Sequence, residues 1–421
     1  MQTSVTASNV AQRVSAHEKD MVDLLSGLIR IPALGPKNGG QGEMKKAKWL
    51  AEYCERQGFK VEWFNAPCND VPDRVRPNLL VRIPGKSHER ALWIMSHIDV
   101  VPPGNESDWK TSPFEPVMKD GKLYGRGSED DCQSLAAAFW AAKSILESGE
   151  APTVDTNLLF VADEETGSEF GIQWMLQAHR GLFGKDDLIL VPDGGDPKGE
   201  YIEVAEKTIL WLKFTVHGKQ AHGSMPNLGN NSTRGVAQLT MDLDKALHAR
   251  FPAKDKLFMP PESTFEPTKR EANVPNVNTL PGKDVFYFDT RILPKYDPDA
   301  PLKLVKAVVK KFEKRTGLKV DVDVVQHDKA APPTSPDAEI VRRLRAALTA
   351  TRRVKPKVWG VGGGTVAAIF RRHGYAAAVW STYDELAHQP NEYCVVKNMV
   401  ADALVYAHLM LQPETEAGRG R

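Results

Sequence analysis

Residues 17–31 place Met21, Leu24, Leu25 and Leu28 on one face at helical spacing and stop before Pro32, which predicts a helix. The spacing recurs over 43–56, where Gly58 is placed to close the helix, and 60–64 follows as a strand. Apolar runs at 79–83, 91–95, 158–162 and 188–191 predict buried strands. An alanine-rich helix over 134–146 and a helix over 170–177 fall among them. Strands alternating with helices predict an α/β layer with a mostly parallel sheet and flanking helices.

From about Lys207 the pattern changes. Residues 209–216, 285–292 and 319–325 alternate apolar and polar positions, as antiparallel strands with one exposed face do, and helices are predicted over 233–247 and 302–316. After the loop 330–336 the α/β pattern returns, with a helix over 337–351, a glycine-rich turn, an apolar run at 376–380 and a last helix over 396–411. The chain therefore reads as a catalytic layer in two parts, 1–206 and 329–421, with an α+β domain carrying an antiparallel sheet inserted at 207–328. Residues 1–16 and 413–421 read as frayed tails.

A length of 421 residues agrees with two domains. A net charge of +1 excludes a global field directed at nucleic acid or an anionic membrane. The four cysteines, Cys54, Cys68, Cys132 and Cys394, form no CxxC pair, which argues against a disulfide framework and fits a reducing, cytoplasmic setting. No signal-like segment opens the chain, and no window reaches the ~18 apolar residues of a membrane span.

Four of the apolar runs lead into cation-binding residue types. They are followed by Ser96-His97-Ile98-Asp99, by Asp163-Glu164-Glu165, by Pro192-Asp193-Gly194-Gly195 and, through a short loop, by His388-Gln389-Pro390-Asn391-Glu392. Ligands of open parallel sheets gather at the carboxyl ends of strands, so these loops can converge. A fifth segment, Gly125-Arg126-Gly127-Ser128-Glu129-Asp130-Asp131, precedes the alanine-rich helix. A lone acidic run is usually a solvated loop. Five segments with one geometric logic are not.

Two histidines and several carboxylates without cysteine match zinc, cobalt or manganese. The number of acids suggests two metal ions sharing a bridging carboxylate. Asp99, two residues beyond His97, is placed to accept the imidazole's other N–H. The histidines at 17, 88, 179, 217, 248, 327, 373 and 408 read as packed or surface residues. Gly362-Gly363-Gly364-Thr365 lacks the lysine of a phosphate-binding loop and reads as having no strand before it, so nucleotide binding is not expected.

These motifs, His97-Ile98-Asp99, Gly125 to Asp131, Glu164 to Ser168, Asp193 and His388 to Glu392, resemble the metal-site motifs of the co-catalytic dizinc aminoacylase/carboxypeptidase family. That family includes acetylornithine deacetylase, succinyl-diaminopimelate desuccinylase, carboxypeptidase G and carnosinase-like dipeptidases. The resemblance covers nearly the whole chain in order. It implies a zinc-peptidase-like catalytic domain and an inserted dimerisation, or lid, domain.

By the same resemblance, Asp130 bridges two divalent metal ions per subunit. His97 and Asp193 complete one position, and Glu165 and His388 the other. Glu164 is the general base and acid, and the Asp130–Asp131 peptide is cis. Cys132-Gln133-Ser134 departs from the Lys-Gly or Met-Lys-Gly usual in relatives and puts the entry into the next helix in question.

In the insert, His222 to Asn231 resembles the segment whose histidine enters the partner subunit's site and polarises the scissile carbonyl. Asn276 to Gly282 matches an Asn-x-x-Pro element that includes Asn278, and Asp289-Thr290-Arg291 matches a substrate arginine. Arg291 reads either as a carboxylate clamp or as a strand salt bridge, and the backbone of Gly363, Gly364 and Thr365 is suited to the same carboxylate. The implied activity is hydrolysis of the amide bond of an N-acyl amino acid through a dimetal-activated water, in a homodimer with catalytic Glu164, Asp99 and His222. A dipeptidase or carboxypeptidase acting on short peptides is the alternative, and an inactive metal-binding scaffold a third reading. The acyl group and side chain are not legible.

Overall fold

The computed structural model describes residues 2–414, with side chains from 8 onward. The expected tail at 415–421 lies outside them. The chain forms two compact units. The first runs to Val204 and resumes over Thr334–Val358 and from Ile369; the second comprises Ala205–Pro333 and Trp359–Ala368.

The central strands of the first unit belong to a mixed sheet whose order is Val61–Pro67, Val75–Ile83, Val154–Val161, Ser87–His97, Leu188–Asp196, Ala377–Thr382, Tyr201–Glu206 and Lys357–Val361. The four central strands, from Val154–Val161 to Ala377–Thr382, run parallel to one another. Antiparallel pairings flank them on both sides. These four are the strands whose ends the sequence marked, so all four carboxyl ends share one edge of the sheet. Leu158, Leu159, Ile189, Leu190, Ala378 and Val379 are buried on both faces, which is why those segments read as unbroken apolar runs.

Helix Cys132–Glu147 packs against helices Glu18–Ile29 and Val396–Leu411. Its altered entry does not disturb it. Gln133 Nε2 donates to the Thr382 carbonyl at 3.2 Å and Ser134 Oγ to the Pro192 carbonyl at 2.7 Å, so the substituted residues are tied to two strand ends. The expected N-terminal tail is instead a helix, Gln2–Ala16, which packs against helices Cys132–Glu147 and Val396–Leu411. Its Val10 and Val14 are buried. A stripe so narrow gives little amphipathic signal.

The second unit holds a four-stranded antiparallel sheet in the order Thr264–Arg270, Lys283–Ile292, Thr208–His217 and Lys319–Asp328. Helices Ser232–Arg250 and Ala300–Thr316 close one face over a core that includes Leu210, Phe214, Leu239, Phe286 and Val309. The glycine run and its surroundings, expected in the catalytic layer, belong here. The Lys207 N–H donates to the Val361 carbonyl at 3.0 Å. Gly360 lies so close to Phe258 that an added Cβ would meet the ring at 2.4 Å, a contact that excludes any larger residue. A strand, Lys357–Val361, does precede the glycines, contrary to expectation, and the helix after them, Ala367–Arg372, has only six residues.

The four cysteines are buried and unbridged. Among the described residues no helix is long and apolar enough to cross a membrane.

Candidate metal centre

His97 is the last residue of its strand, and burial leaves it 2% exposed. Its Nδ1 lies 2.9 Å from the backbone carbonyl of Asp99. A carbonyl only accepts, so Nδ1 carries a proton and Nε2 is the atom left to face the site. The expected partner was the Asp99 carboxylate, but its nearer oxygen is 3.6 Å from Nδ1. That carboxylate accepts the backbone N–H groups of Glu164 and Glu165, each at 3.1 Å. Asp99 thus holds the turn Glu164–Thr166 rather than acting on the imidazole alone.

Asp130 sits between the two histidines. One oxygen is 2.9 Å from His97 Nε2 and the other 3.4 Å from His388 Nε2. Asp193 comes within 3.9 Å of His97, and Glu165 within 3.0 Å of His388. The donor atoms of His97, Asp130 and Glu165 lie within 4.8 Å of one another, as do those of His97, Glu164 and Asp193. Ligand atoms bound tetrahedrally at ~2.0–2.1 Å stand about 3.4 Å apart, so separations of this order fit a divalent cation. The Asp130–Asp131 peptide is cis.

The electrostatics of the site call for positive charge. Burial pushes the Glu164 carboxyl up to about 8, and the charges of Glu165 and Asp130 add to it against the pull of His97. Burial, Glu164 and Asp130 hold Asp193 well above the usual carboxylate range, and burial and Asp130 raise Glu165. Burial would lower His97, but bonding to Asp130 and Asp99 outweighs it and raises the imidazole well above its ordinary value. Hydrogen bonds to Asp130 and Glu165 raise His388 to about 10. Burial opposes ionisation of Asp130, yet His388 and His97 hold it well below the usual range. Four acids and two imidazoles share too few positive charges, a deficit that hard or borderline cations remove.

Several residues that build the site carried no signal of their own in the sequence. Arg76 bonds Glu43, with Nε–Oε2 at 2.7 Å, and reaches Asp163 at 3.1 Å, all three being buried. Asp163 also accepts the Phe170 N–H at 3.0 Å from a left-handed backbone with φ 67°. The first acid of the acidic run is therefore bonded to a guanidinium that it shares with Glu43. Glu392 and Glu129 bond backbone amides on each other's loops, and Trp109 lies against the Arg126 guanidinium.

The remaining candidates lie in the second unit. His222 pairs with Thr279 across a two-residue ladder, and the Gly223 N–H donates to the Asn278 carbonyl at 2.6 Å, so His222 and Asn278 are brought together. His222 Nδ1 is 2.8 Å from Ser224 Oγ, and the ring is exposed. A cleft of about 480 Å³ beside them is lined by Gly223, Arg234, Gln238, Val277 and Thr279, among others. It contains none of the metal-site residues.

Arg291 offers Nε and one terminal nitrogen to Asp289, at 2.7 and 2.9 Å, and the other terminal nitrogen to the Gly362 carbonyl at 2.8 Å. It is the strand salt bridge. Three of its five N–H groups are used, so two remain. Thr365 Oγ1 donates to Glu206 at 3.0 Å and accepts the Ala367 N–H at 3.2 Å; a Cβ on Gly363 would meet nothing within 4 Å, and one on Gly364 would meet Ile209 at 3.8 Å.

The chain is similar to several known proteins. Residues 93–412 match the family model of peptidase family M20/M25/M40. An uncharacterized metallohydrolase of Methanocaldococcus jannaschii is 38% identical over 93% of this chain and 99% of its own length. A succinyl-diaminopimelate desuccinylase of Wolbachia pipientis is 26% identical over 90% of this chain and 89% of its own. Among solved structures, the Saccharomyces cerevisiae di-peptidase Dug1p shares the fold with a TM-score of 0.73 and 18% identity, over 97% of this chain and 98% of that one.

Proposed function

This chain belongs to peptidase family M20/M25/M40 and is a metal-dependent hydrolase, and from that premise we propose that it hydrolyses the amide bond of an N-acyl amino acid with two divalent cations, zinc first, per subunit. The observation that carries this reading is the position of Asp130, whose two oxygens face two histidines that each have a second acid, Asp193 or Glu165. Cobalt and manganese suit the same nitrogen and oxygen donors. When bound, the cations supply Lewis acidity, lowering the pKa of water and polarising a carbonyl.

The chain's own residues do the rest. Glu164 takes a proton from water and returns it to the leaving amine nitrogen. Asp99 keeps Glu164 and Glu165 in register through their N–H groups. His222 donates to the oxyanion of the tetrahedral intermediate. The two remaining N–H groups of Arg291, with Asn278 and the backbone of Gly363, Gly364 and Thr365, orient the substrate carboxylate. His222 acts in a homodimer formed through the second unit. Exposed Met225, Leu228 and Val277 near His222, and Val324 and Val325 on the edge strand Lys319–Asp328, support such a partner surface.

A dipeptidase or carboxypeptidase reading uses the same residues. The desuccinylase relative, at 26% identity, favours the deacylase reading. A panel of N-acetyl and N-succinyl amino acids and dipeptides, offered to protein reconstituted with Zn²⁺, Co²⁺ or Mn²⁺, tests it. Turnover of the N-acyl substrates is expected. Turnover of dipeptides alone would move the assignment to the second reading. Less than one bound cation per chain with no turnover would indicate an inactive scaffold.

A further inference from the structure

Two buried glutamates outside the ligand set cross between the loops that deliver Asp130 and His388. Glu129, on the Asp130 loop, accepts the N–H of Leu386 at 2.6 Å on one oxygen and the N–H of Asp384 on the other. Both donors belong to the loop that leads to His388. Glu392, on the His388 loop, accepts the N–H groups of Glu129 at 2.8 Å and Asp130 at 3.1 Å on one oxygen. Its other oxygen takes Gly127 N–H at 3.1 Å and Arg126 at 2.6 Å. Glu129 is 2% exposed and Glu392 fully buried.

The two loops differ in how much else holds them. Asp130 lies in a buried segment beside a long helix. The His388 side chain is 58% exposed, and its loop contains three left-handed residues other than glycine, Glu385, His388 and Asn391. Such backbone persists only where outside contacts over-determine it. Asn391 is fastened to Asp108 and Lys110, but the start of the loop is held through Glu129.

We propose that Glu129 and Glu392 are positioning residues with unequal duties. Glu129 sets the His388–Glu165 cation position alone, whereas Glu392, by fixing the shared Asp130, sets both. This rests on the two-cation reading given above.

The test is a Co²⁺ titration of the chelated full-length chain, followed by its visible absorption, beside Glu129→Gln, Glu392→Gln and His388→Ala. The unmodified chain is expected to take up two Co²⁺. Glu129→Gln keeps the carbonyl oxygen but turns an NH2 group toward an N–H donor, and it should weaken one Co²⁺ about 10–100-fold, as His388→Ala does, while leaving the other unchanged. Glu392→Gln should weaken both. Glu129→Asp, which keeps the charge but loses the reach, should follow Glu129→Gln, and far-ultraviolet circular dichroism establishes that each variant is folded. Two unchanged steps in Glu129→Gln, or both weakened equally, would overturn the proposal. No Co²⁺ uptake by the unmodified chain would instead overturn the metal reading beneath it.

Discussion

The Asp99 carboxylate accepts the backbone N–H of Glu164 at 3.1 Å, and its second oxygen accepts that of Glu165 at the same distance. A residue two positions after His97 therefore holds the backbone of both Glu164 and Glu165 on the neighbouring strand's loop. Asp99→Asn retains one acceptor and sets an NH2 group against the other N–H. Activity should fall about 10–100-fold, with cation content unchanged by elemental analysis. Unchanged activity would show that these two bonds do not position Glu164 and Glu165.

Glu164→Gln tests the proposed proton carrier and leaves the other donors in place. Turnover should drop by about 10²–10⁴-fold or more while bound cation stays at the unmodified level. Retained activity would sink the assignment of Glu164.

His222 and Glu164 lie in different units. If His222 serves a neighbouring subunit, His222→Ala and Glu164→Ala chains, each inactive alone, should regain part of the activity when heterodimers form. Heterodimers verified by mass with no activity would place His222 in its own subunit's reaction or outside it.

The acid cluster also predicts how stability depends on pH. The folded pKa of His388 is raised to about 10, so its contribution is complete below the unfolded value near 6.5 and is lost as pH rises toward 10. Glu164 is raised to about 8, so the unfolded chain ionises first and folding is disfavoured as pH climbs from about 4.5 to 8. Both act in one direction. The Tm of chelated protein should fall from pH 6.5 to 10, and added Zn²⁺ should flatten that slope. A chelated protein whose Tm rises over this range would contradict the charge deficit.

Arg76 stands between Glu43 and Asp163, with all three buried. Arg76→Met leaves two acids without a counter-charge and should cost about 3–5 kcal/mol in urea unfolding. Adding Glu43→Gln should recover part of that loss. A change below about 1 kcal/mol would mean that solvent or rearrangement supplies the missing charge.

Much of the catalytic layer was legible because its signals are local. Buried parallel strands read as unbroken apolar runs, and polar residues at their ends, His97, Asp163 to Glu165 and Asp193, interrupt those runs abruptly. The N-terminal helix was missed because two buried valines make too short a stripe. Glu129 and Glu392 could not be read in the same way. Their partners are backbone N–H groups, which almost every residue carries, so no side-chain pattern announces them. The assignment of Trp359–Ala368 to the second unit was equally silent, since it depends on Lys207, Arg291 and Phe258, distant in the chain.

Residue order alone determined the strand and helix alternation and the residue types able to hold cations, because periodicity and side-chain chemistry are properties of single segments. Tertiary structure decided which oxygen of Asp130 faces which histidine, that Asp99 works through the amides of Glu164 and Glu165, and that Asp163 is bonded to Arg76. Those are distances between segments far apart in the chain, and only the packing of the sheet sets them.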